Sequence, residues 1–216
     1  MVEIVICGAA GRMGSTVVRL SHESADVKLA GAVESPECAA VGKDAGEVAG
    51  VGKLGIAISD KVEPLLKDNV VIIDFTQPKA SLGFLKAAAE KAVPMVICTT
   101  GFIKSEVAEI EKLASRTKVV FSANMSIGVN LLLSILGNVA RALGDDYDVE
   151  IVEAHHRFKK DAPSGTALAL GRVVAEALNR DLEDVAVAGR KGIVGERTKK
   201  EIALLSIRSG DVVGEH

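Results

Sequence analysis

The chain has 216 residues, enough for one large domain or two small ones, and 48% of them are hydrophobic. Aromatic residues make up only 3% and tryptophan is absent, so an aliphatic core is predicted, as in a parallel sheet covered by helices. The formal net charge of -3 argues against a nucleic-acid-binding protein. Three cysteines without CxxC spacing argue against a disulfide framework or a zinc site.

Secreted and membrane proteins are also disfavoured. Met1 leads directly into the strand-like Val2–Cys7, so no secretory signal is predicted. The most apolar run, Ile127–Leu136, is interrupted by Gly128 and other small or polar residues, so no membrane-spanning segment is expected. Because the thiols are expected to be reduced, the sequence predicts a cytoplasmic protein.

The first half of the chain alternates short apolar runs with amphipathic stretches. The predicted strands are Val2–Cys7, Val27–Val33, Val70–Phe75, Pro94–Cys98 and Val119–Phe121. The predicted helices are Arg12–His22, Pro78–Lys91 and Ser105–Ser115, and residues 36–60 are predicted to be a loop with a weak helix or short strand. This alternation predicts a Rossmann-like, doubly wound parallel sheet in an α/β dinucleotide-binding domain, residues 1–126.

The pattern changes near residue 126. Predicted helices Gly128–Leu143 and Pro163–Asn179 flank a strand, Tyr147–Ala154, and further strand-like runs are Val185–Ala188, Glu201–Ile207 and Val212-Val213. We predict a second, α+β domain over residues 127–216, with an antiparallel sheet, for substrate binding and oligomerisation. Its apolar strand faces would pack on the helices or on another subunit.

A glycine-rich turn follows the first strand. Its sequence, Gly8-Ala9-Ala10-Gly11-Arg12-Met13-Gly14, has GxxGxxG spacing and opens a helix, where a pyrophosphate can bind the helix N-terminus. Glu34 ends the next strand, where an acid binds the ribose hydroxyls of a dinucleotide. Glycine turns of this kind also serve packing alone, but Glu34 favours dinucleotide binding.

The residue after Glu34 indicates which nicotinamide nucleotide is preferred. It is Ser35, which cannot neutralise a 2′-phosphate, whereas Glu34 repels one. Arg12, inside the glycine turn, could still reach a 2′-phosphate. The sequence therefore predicts NADH as the preferred cofactor, with NADPH tolerated.

Three other predicted strands end in small or polar residues. These segments are Asp74–Pro78, Cys98–Phe102 and Ser122–Ser126. In an open α/β sheet, ligands bind beyond the carboxyl ends of the strands, so these groups suit a nicotinamide ribose or carboxamide. Helix capping and turn closure are the alternative roles for any one of them.

The stretch Glu153–Ala167 reads EAHHRFKKDAPSGTA and concentrates proton donors and cations. Adjacent His155 and His156 can exchange protons near neutral pH, and Lys159 can bind a carboxylate. Ser164-Gly165-Thr166 starts a helix and offers hydroxyl and N–H groups to an anion. The stretch predicts a pocket for a small, multiply anionic substrate that gains or loses a proton.

Less specific roles remain open for these residues. The two histidines could be a strand-end pair, one buried and one solvated. Arg157 and Lys160 could be solvated charges, or could form ion pairs with Glu153 or Asp161.

Together, the glycine turn, the three strand-end segments and the EAHHRFKKDAPSGTA stretch resemble the 4-hydroxy-tetrahydrodipicolinate reductase (dihydrodipicolinate reductase) family. The family acts in lysine and diaminopimelate biosynthesis, and the similarity extends to the closing segment 210–216. The resemblance implies His155 as the general acid/base, Lys159 as proton donor and substrate ligand, and a small dicarboxylate substrate. It also implies a homotetramer assembled through the sheet of the second domain.

Further positions follow from the same resemblance. The implied substrate-binding residues are His156, Lys159, Ser164, Gly165 and Thr166. The implied nucleotide-binding residues are Gly8, Ala9, Ala10, Gly11, Arg12, Met13, Glu34, Cys98, Thr99, Thr100, Ser122, Ala123, Asn124 and Met125. Because family members continue beyond the match to His216, the second domain is expected to lack its C-terminal part, exposing a sheet edge.

Two competing functions stay open on the sequence alone. One is another NAD(P)-dependent enzyme of amino-acid metabolism, such as a semialdehyde dehydrogenase, which needs a nucleophilic cysteine; Cys98 is the best placed. The other is a nucleotide-sensing module without catalysis, which needs Glu34 and the glycine turn but has no use for His155.

Overall fold

A computed structural model describes all 216 residues, which form two compact units, Met1–Ala123 and Asn124–His216. The strands of the first unit are β1 (Val2–Cys7), β2 (Val27–Val33), β3 (Ile58–Ser59), β4 (Val70–Asp74), β5 (Met95–Ile97) and β6 (Val119–Phe121). Its helices are α1 (Arg12–Glu23), α2 (Ala45–Ala49), α3 (Pro78–Glu90) and α4 (Lys104–Ala114). All strand pairs are parallel, in the order β3-β2-β1-β4-β5-β6.

Two apolar cores cover the two faces of this sheet. Because successive side chains of a strand point to opposite faces, β1 contributes to both. Val5 and Cys7 belong to a core shared with α3, whereas Ile4 and Ile6 belong to one shared with α1. The predicted Rossmann-like, doubly wound parallel sheet is confirmed, and this strand order places the carboxyl end of β1 beside that of β4.

The segment between β2 and β3 folds around one carboxylate. Asp44 caps α2 and accepts hydrogen bonds at 2.7–3.2 Å from five backbone N–H groups, those of Gly46, Glu47, Leu54, Gly55 and Ile56. These donors, with that of Leu54 contributing most, lower the pKa of Asp44 to about 2. The glycine-rich sequence therefore forms an ordered loop, in which the side chain of Asp44 accepts hydrogen bonds from both ends.

The second unit contains three parallel strands. Its elements are α5 (Ile127–Leu143), β7 (Val149–His155), α6 (Gly165–Ala177), α7 (Leu182–Val185), β8 (Ala186–Val187) and β9 (Ile202–Arg208). The strand order is β7-β9-β8. The prediction of an antiparallel sheet is therefore wrong, and the run Val212-Val213 forms no strand. The one isolated antiparallel bridge of this unit joins Ala154 to Glu215.

The connections explain why these strands are parallel. Helix α6 lies in the connection from β7 to β8, and residues 188–201, long enough for a parallel return, lead from β8 to β9. Arg190 and Arg197 of that segment both donate to Glu150 of β7. The sequence did not indicate the direction of these strands, because it does not reveal where a long polar segment returns.

Helix α5 carries much of the apolar character of the second unit. By length and composition, the segment Ile127–Asp146, with a mean hydropathy of 1.5, is apolar enough to cross a membrane. The expectation that no run reaches this length is therefore wrong, because Gly128, Asn130 and Ser134 do not offset the surrounding leucines and isoleucines. A single such helix is weak evidence for a membrane span, and α5 packs against α6 through Gly137 and Ala140.

Candidate functional site

The glycine-rich turn joins β1 to α1 and tolerates no larger residues at two positions. Gly8 has φ +81°, and a Cβ there would lie 2.6 Å from the carbonyl oxygen of Phe75. A Cβ at Gly14 would lie 2.0 Å from the carbonyl oxygen of Gly8. Gly11 caps α1 without any side-chain hydrogen bond, so the N–H groups of the first turn have no side-chain cap. This is the geometry of an anion-binding helix N-terminus.

Glu34 is directed at this turn. Its Oε1 accepts a hydrogen bond from the Ala10 N–H at 2.8 Å, and its Oε2 accepts one from the Ser35 N–H at 3.2 Å. The Ser35 hydroxyl donates to the carboxylate of Glu37, which lowers the pKa of Glu37. The carboxylate of Glu34 is thus held beside the glycine turn, and the Ser35 hydroxyl is engaged elsewhere.

A cavity of about 870 Å³ opens at this end of the sheet. Of the predicted nucleotide-binding residues, Gly8, Gly11 and Glu34 line it, whereas Arg12 does not. The charged residues among the rest of its lining are Glu37, Asp60, Lys61, Glu63 and Lys79. The volume suits a cofactor pocket.

Lys61 and Lys79 in this lining had no role in the sequence analysis. The signal that could have identified them is their position, since Lys61 follows β3 and Lys79 lies in the first turn of α3. Both sites are at carboxyl ends of parallel strands, where ligands bind.

The ends of β4 and β5 are joined by a buried network. The Asp74 carboxylate accepts hydrogen bonds from the hydroxyls of Thr99 at 2.9 Å, Thr76 at 2.5 Å and Ser81. The Thr99 hydroxyl in turn accepts from the Thr76 N–H at 3.0 Å. Thr99, predicted to bind nucleotide, therefore has its hydroxyl used within the protein, and only its backbone is left for a ligand. Thr100 beside it is exposed.

The cysteines here are poor nucleophiles. Burial, followed by the charge of Asp74, raises the pKa of Cys98 to about 11. Burial raises the pKa of Cys7 as well. A thiol reacts as its thiolate, so neither residue is activated as a catalytic cysteine must be.

The remaining predicted nucleotide residues fall on both sides of the division between the units. Ser122 and Ala123 follow β6 in the first unit, whereas Asn124 and Met125 belong to the second. The Asn124 amide donates from Nδ2 to the Thr166 hydroxyl at 3.0 Å. The structure thus brings Asn124 to a predicted substrate-binding residue.

In the second unit, β7 ends at His155, and Glu153 lies two residues earlier on the inward face. The Glu153 side chain is fully buried, and its Oε2 lies 2.5 Å from His155 Nδ1. Arg208, at the end of β9, donates to both Glu153 oxygens at 2.8 Å. Burial raises the pKa of Glu153, but hydrogen bonds from Arg208, Ser206 and His155 outweigh it and lower that pKa to about 2.

Helix α6 begins beside this group. Ser164 is its N-cap, accepting from the Ala167 N–H at 3.1 Å, and the Ser164 N–H donates to Glu153 Oε1 at 3.1 Å. The Ser164 hydroxyl also lies 2.7 Å from His216 Nε2. Gly165 and Thr166, the first two residues of the helix, have N–H groups without intrahelical acceptors.

The other charged residues of this stretch are partnered differently from the sequence expectation. Lys159 donates to both oxygens of Asp161 at 2.9 Å. The expected ion pairs of Arg157 or Lys160 with Glu153 or Asp161 are not formed, because Arg208 and Lys159 hold those carboxylates. The Arg157 guanidinium instead lies 5.4 Å from the centre of the Phe158 ring.

His156 Nδ1 is buried without a hydrogen-bond partner. A buried polar atom of this kind costs free energy unless it is paired, which suits a residue that contacts substrate.

Sequence reasoning did not identify the roles of Glu153 and Arg208. Alternation along β7 could have indicated Glu153, because it occupies the inward position that Val149 and Ile151 share. A carboxylate at an inward position needs a buried partner. Arg208 carries no comparable local signal, since it lies 55 residues further along the chain.

Comparisons with known proteins agree across both units. The family model described as dihydrodipicolinate reductase, N-terminus, matches residues 2–125, and the C-terminus model matches residues 128–216. The 4-hydroxy-tetrahydrodipicolinate reductases of Hahella chejuensis and Geobacter metallireducens are 51% and 52% identical over 216 residues, which is 100% of this chain and 81% of each relative.

Solved structures support the fold. A dipicolinate-bound dihydrodipicolinate reductase from Paenisporosarcina sp. TG-14 has a TM-score of 0.70 at 22% identity, over 99% of this chain and 81% of that one. The WlbA dehydrogenase from Thermus thermophilus, in complex with NAD and alpha-ketoglutarate, has a TM-score of 0.58 at 12% identity, over 98% of this chain and 74% of that one. With both domain models matched and relatives about half identical along the whole chain, this protein belongs to the dihydrodipicolinate reductase (4-hydroxy-tetrahydrodipicolinate reductase) family.

Proposed function

We propose that this chain reduces 4-hydroxy-tetrahydrodipicolinate to tetrahydrodipicolinate in lysine and diaminopimelate biosynthesis, with a nicotinamide nucleotide as reductant and with loss of the 4-hydroxyl group as water. The observation that carries the proposal is the group formed by His155, Lys159 and the N-terminus of α6, in a chain matched by both family models. A proton donor, a cation and an anion-binding helix end are what reduction of a cyclic dicarboxylate requires.

Different residues of the second unit donate protons and bind the substrate in this proposal. His155 and Lys159 are the proton donors that neutralise negative charge developing on the substrate. Gly165 and Thr166 bind a carboxylate through their N–H groups and the Thr166 hydroxyl at the start of α6, and Ser164 supports them as the N-cap of that helix. His156, with its unpaired buried Nδ1, binds the same substrate.

The first unit fits a dinucleotide. Gly8 and Gly11 line the cavity at the start of α1, which has no side-chain cap, and Glu34 is held beside them to accept hydrogen bonds from ribose hydroxyls. Bound reduced nicotinamide supplies the hydride. We assign the nicotinamide half to the segments 98–100 and 122–125, which the family resemblance implies for the nucleotide.

We propose NADH as the preferred nucleotide, with NADPH tolerated. The cavity is lined by four carboxylates, those of Glu34, Glu37, Asp60 and Glu63, against the two lysines Lys61 and Lys79. Its net charge opposes a 2′-phosphate. The Ser35 hydroxyl donates to Glu37, and Arg12 does not line the cavity. Neither Ser35 nor Arg12 therefore offsets the negative charge of the cavity.

Assembly and location complete the proposal. We propose a homotetramer formed through the second unit's sheet, where Val152 and Ile207 are 46% and 50% exposed. We also propose a cytoplasmic enzyme, in keeping with free thiols at Cys7, Cys38 and Cys98.

Oxidation of NADH at 340 nm with freshly generated substrate tests the activity. We expect substrate-dependent turnover with a higher kcat/KM for NADH than for NADPH. His155→Ala is expected to lower kcat by about 10²- to 10⁴-fold, because it removes a general acid. His22→Ala, an exposed histidine in α1, is the matched control and is expected to keep full activity.

Each part of the proposal has its own contrary result. Nucleotide binding without turnover in the parent chain would favour a sensing module. An unimpaired His155→Ala enzyme would remove the proton chemistry assigned here. Equal or better turnover with NADPH would overturn the cofactor preference alone.

A further inference from the structure

Glu153 is a buried carboxylate held by donors from several elements. It lies on β7 and receives two hydrogen bonds from Arg208 of β9, one from the backbone of Ser164 and one from the ring of His155. Its side chain has no solvent exposure. An anion this deeply buried is stable only when it is paired and hydrogen-bonded, and Arg208 supplies the opposite charge.

The state of the carboxylate determines which ring nitrogen of His155 carries a hydrogen. Arg208 and the other donors keep Glu153 ionised, so both of its oxygens can only accept. The hydrogen in the 2.5 Å contact with His155 therefore belongs to Nδ1. Nε2 is left as the nitrogen that exchanges a proton with its surroundings.

A glycine lies beside the other side of the ring. A Cβ at Gly214 would come within 3.0 Å of His155 Nε2. Any side chain at that position would therefore crowd Nε2. The arrangement commits one nitrogen of the ring to a carboxylate and places a residue without a side chain beside the other.

The same carboxylate also contacts the anion-binding helix. Its Oε1 accepts the Ser164 N–H at 3.1 Å, and Ser164 is the N-cap of α6. His155 and the start of α6 are thus attached to one rigid group, through different oxygens.

We propose that Glu153 is the positioning residue of this site. It fixes the tautomer and orientation of His155, so that Nε2 delivers the proton. It also fixes the position of the N-terminus of α6 relative to that nitrogen. Arg208 acts through Glu153 by keeping it ionised and in place. The catalytic part of this inference rests on the reductase function proposed above, whereas the tautomer does not.

The first test needs no turnover. In the full chain without substrate, ¹⁵N NMR of the histidine rings is expected to show neutral His155 protonated on Nδ1, with the peak assigned by its loss in His155→Ala. Neutral His155 protonated on Nε2 in the parent protein would overturn the proposal whatever any variant does. This measurement stands even if the chain proves to have a different activity.

Glu153→Gln is the second test, since the amide keeps the shape but can donate to Nδ1. We expect kcat to fall about 100-fold, the KM for NADH to stay within twofold and the Nδ1–H signature to disappear. Glu150→Gln is the matched control, because Glu150 lies on the same strand and pairs with Arg190 and Arg197 but is remote from His155.

The outcomes separate positioning from structure. Glu150→Gln is expected to keep kcat within twofold. Equal losses in both variants, or a normal His155 tautomer in Glu153→Gln, would contradict the positioning role. If Glu153→Gln does not fold, as thermal melting would reveal, the tautomer in the parent protein decides.

Discussion

Gly14 shows at the residue scale why the turn after β1 is rich in glycine. The close approach of α1 to the turn leaves only 2.0 Å between the position of a Cβ at residue 14 and the carbonyl oxygen of Gly8. That oxygen belongs to the backbone and cannot move aside cheaply. The requirement at this position is therefore steric, and it would hold even without a bound nucleotide.

We predict that Gly14→Ala lowers the free energy of unfolding by about 2 kcal/mol or more, because the backbone must shift to admit the methyl group. Gly83→Ala is the matched control: it lies in α3, and its Cβ would meet nothing within 4 Å. That variant is expected to gain about 0.5–1 kcal/mol from helix propensity. Urea denaturation measures both, and losses of equal size would contradict the steric argument.

At this scale the sequence indicates candidate site residues better than it indicates their hydrogen-bond and ion-pair partners. Gly8, Gly11 and Glu34 could be predicted as nucleotide ligands from local order along one βαβ unit, and all three line the cavity. The link between Glu153 and Arg208 spans 55 positions, and nothing near either residue specifies the other. The roles of His155, Lys159 and the start of α6 therefore stay predictions, and the network that holds His155 was not predicted.

At the scale of elements, the periodicity of apolar residues predicted well which segments form strands and helices, but it did not predict the direction of the strands in the second unit. Strands β1, β2 and β6 have the predicted bounds, since apolar runs flanked by turn residues leave little choice. The sheet of the second unit was expected to be antiparallel and is parallel, because direction depends on the path of the connections. Residues 188–201 return through ion pairs of Arg190 and Arg197 with β7, which no local pattern reveals.

The loop around Asp44 provides a prediction about an element. Its hydrogen bonds lower the pKa of Asp44 to about 2, below the ordinary value of about 4. A lowered folded-state pKa stabilises the fold above the ordinary value, and that stabilisation is lost as the pH falls toward 2. Asp44→Asn is therefore expected to melt several degrees below the parent chain at pH 7, with a smaller difference at pH 3.

Asp26→Asn is the control for this loop, because Asp26 is an exposed residue of the same unit. It should melt with the parent protein at both pH values. A difference between Asp44→Asn and the parent chain that grows on acidification would have the wrong sign for this mechanism. Circular dichroism at several pH values between 7 and 3 is sufficient to follow it.

At the scale of the whole molecule, the chain leaves two apolar surfaces uncovered in its second unit. One is a stripe on α5, where Leu131 is 58% exposed; the other is the outer face of the sheet, with Val152 and Ile207. Exposed apolar surfaces of this kind mark association sites. The sheet face is the more regular of the two, because Val152 and Ile207 lie on adjacent strands.

Sedimentation velocity tests the proposed homotetramer and the surface through which it would form. If the sheet face forms the homotetramer, Val152→Lys places a charge in the contact and is expected to shift the parent's mass toward the monomer. Leu131→Lys tests α5, and Leu20→Lys, at an α1 residue that is 55% exposed, controls for the substitution itself. Dissociation by Leu131→Lys alone would move the interface to α5. A parent chain that is already monomeric at micromolar concentration would refute assembly through either face.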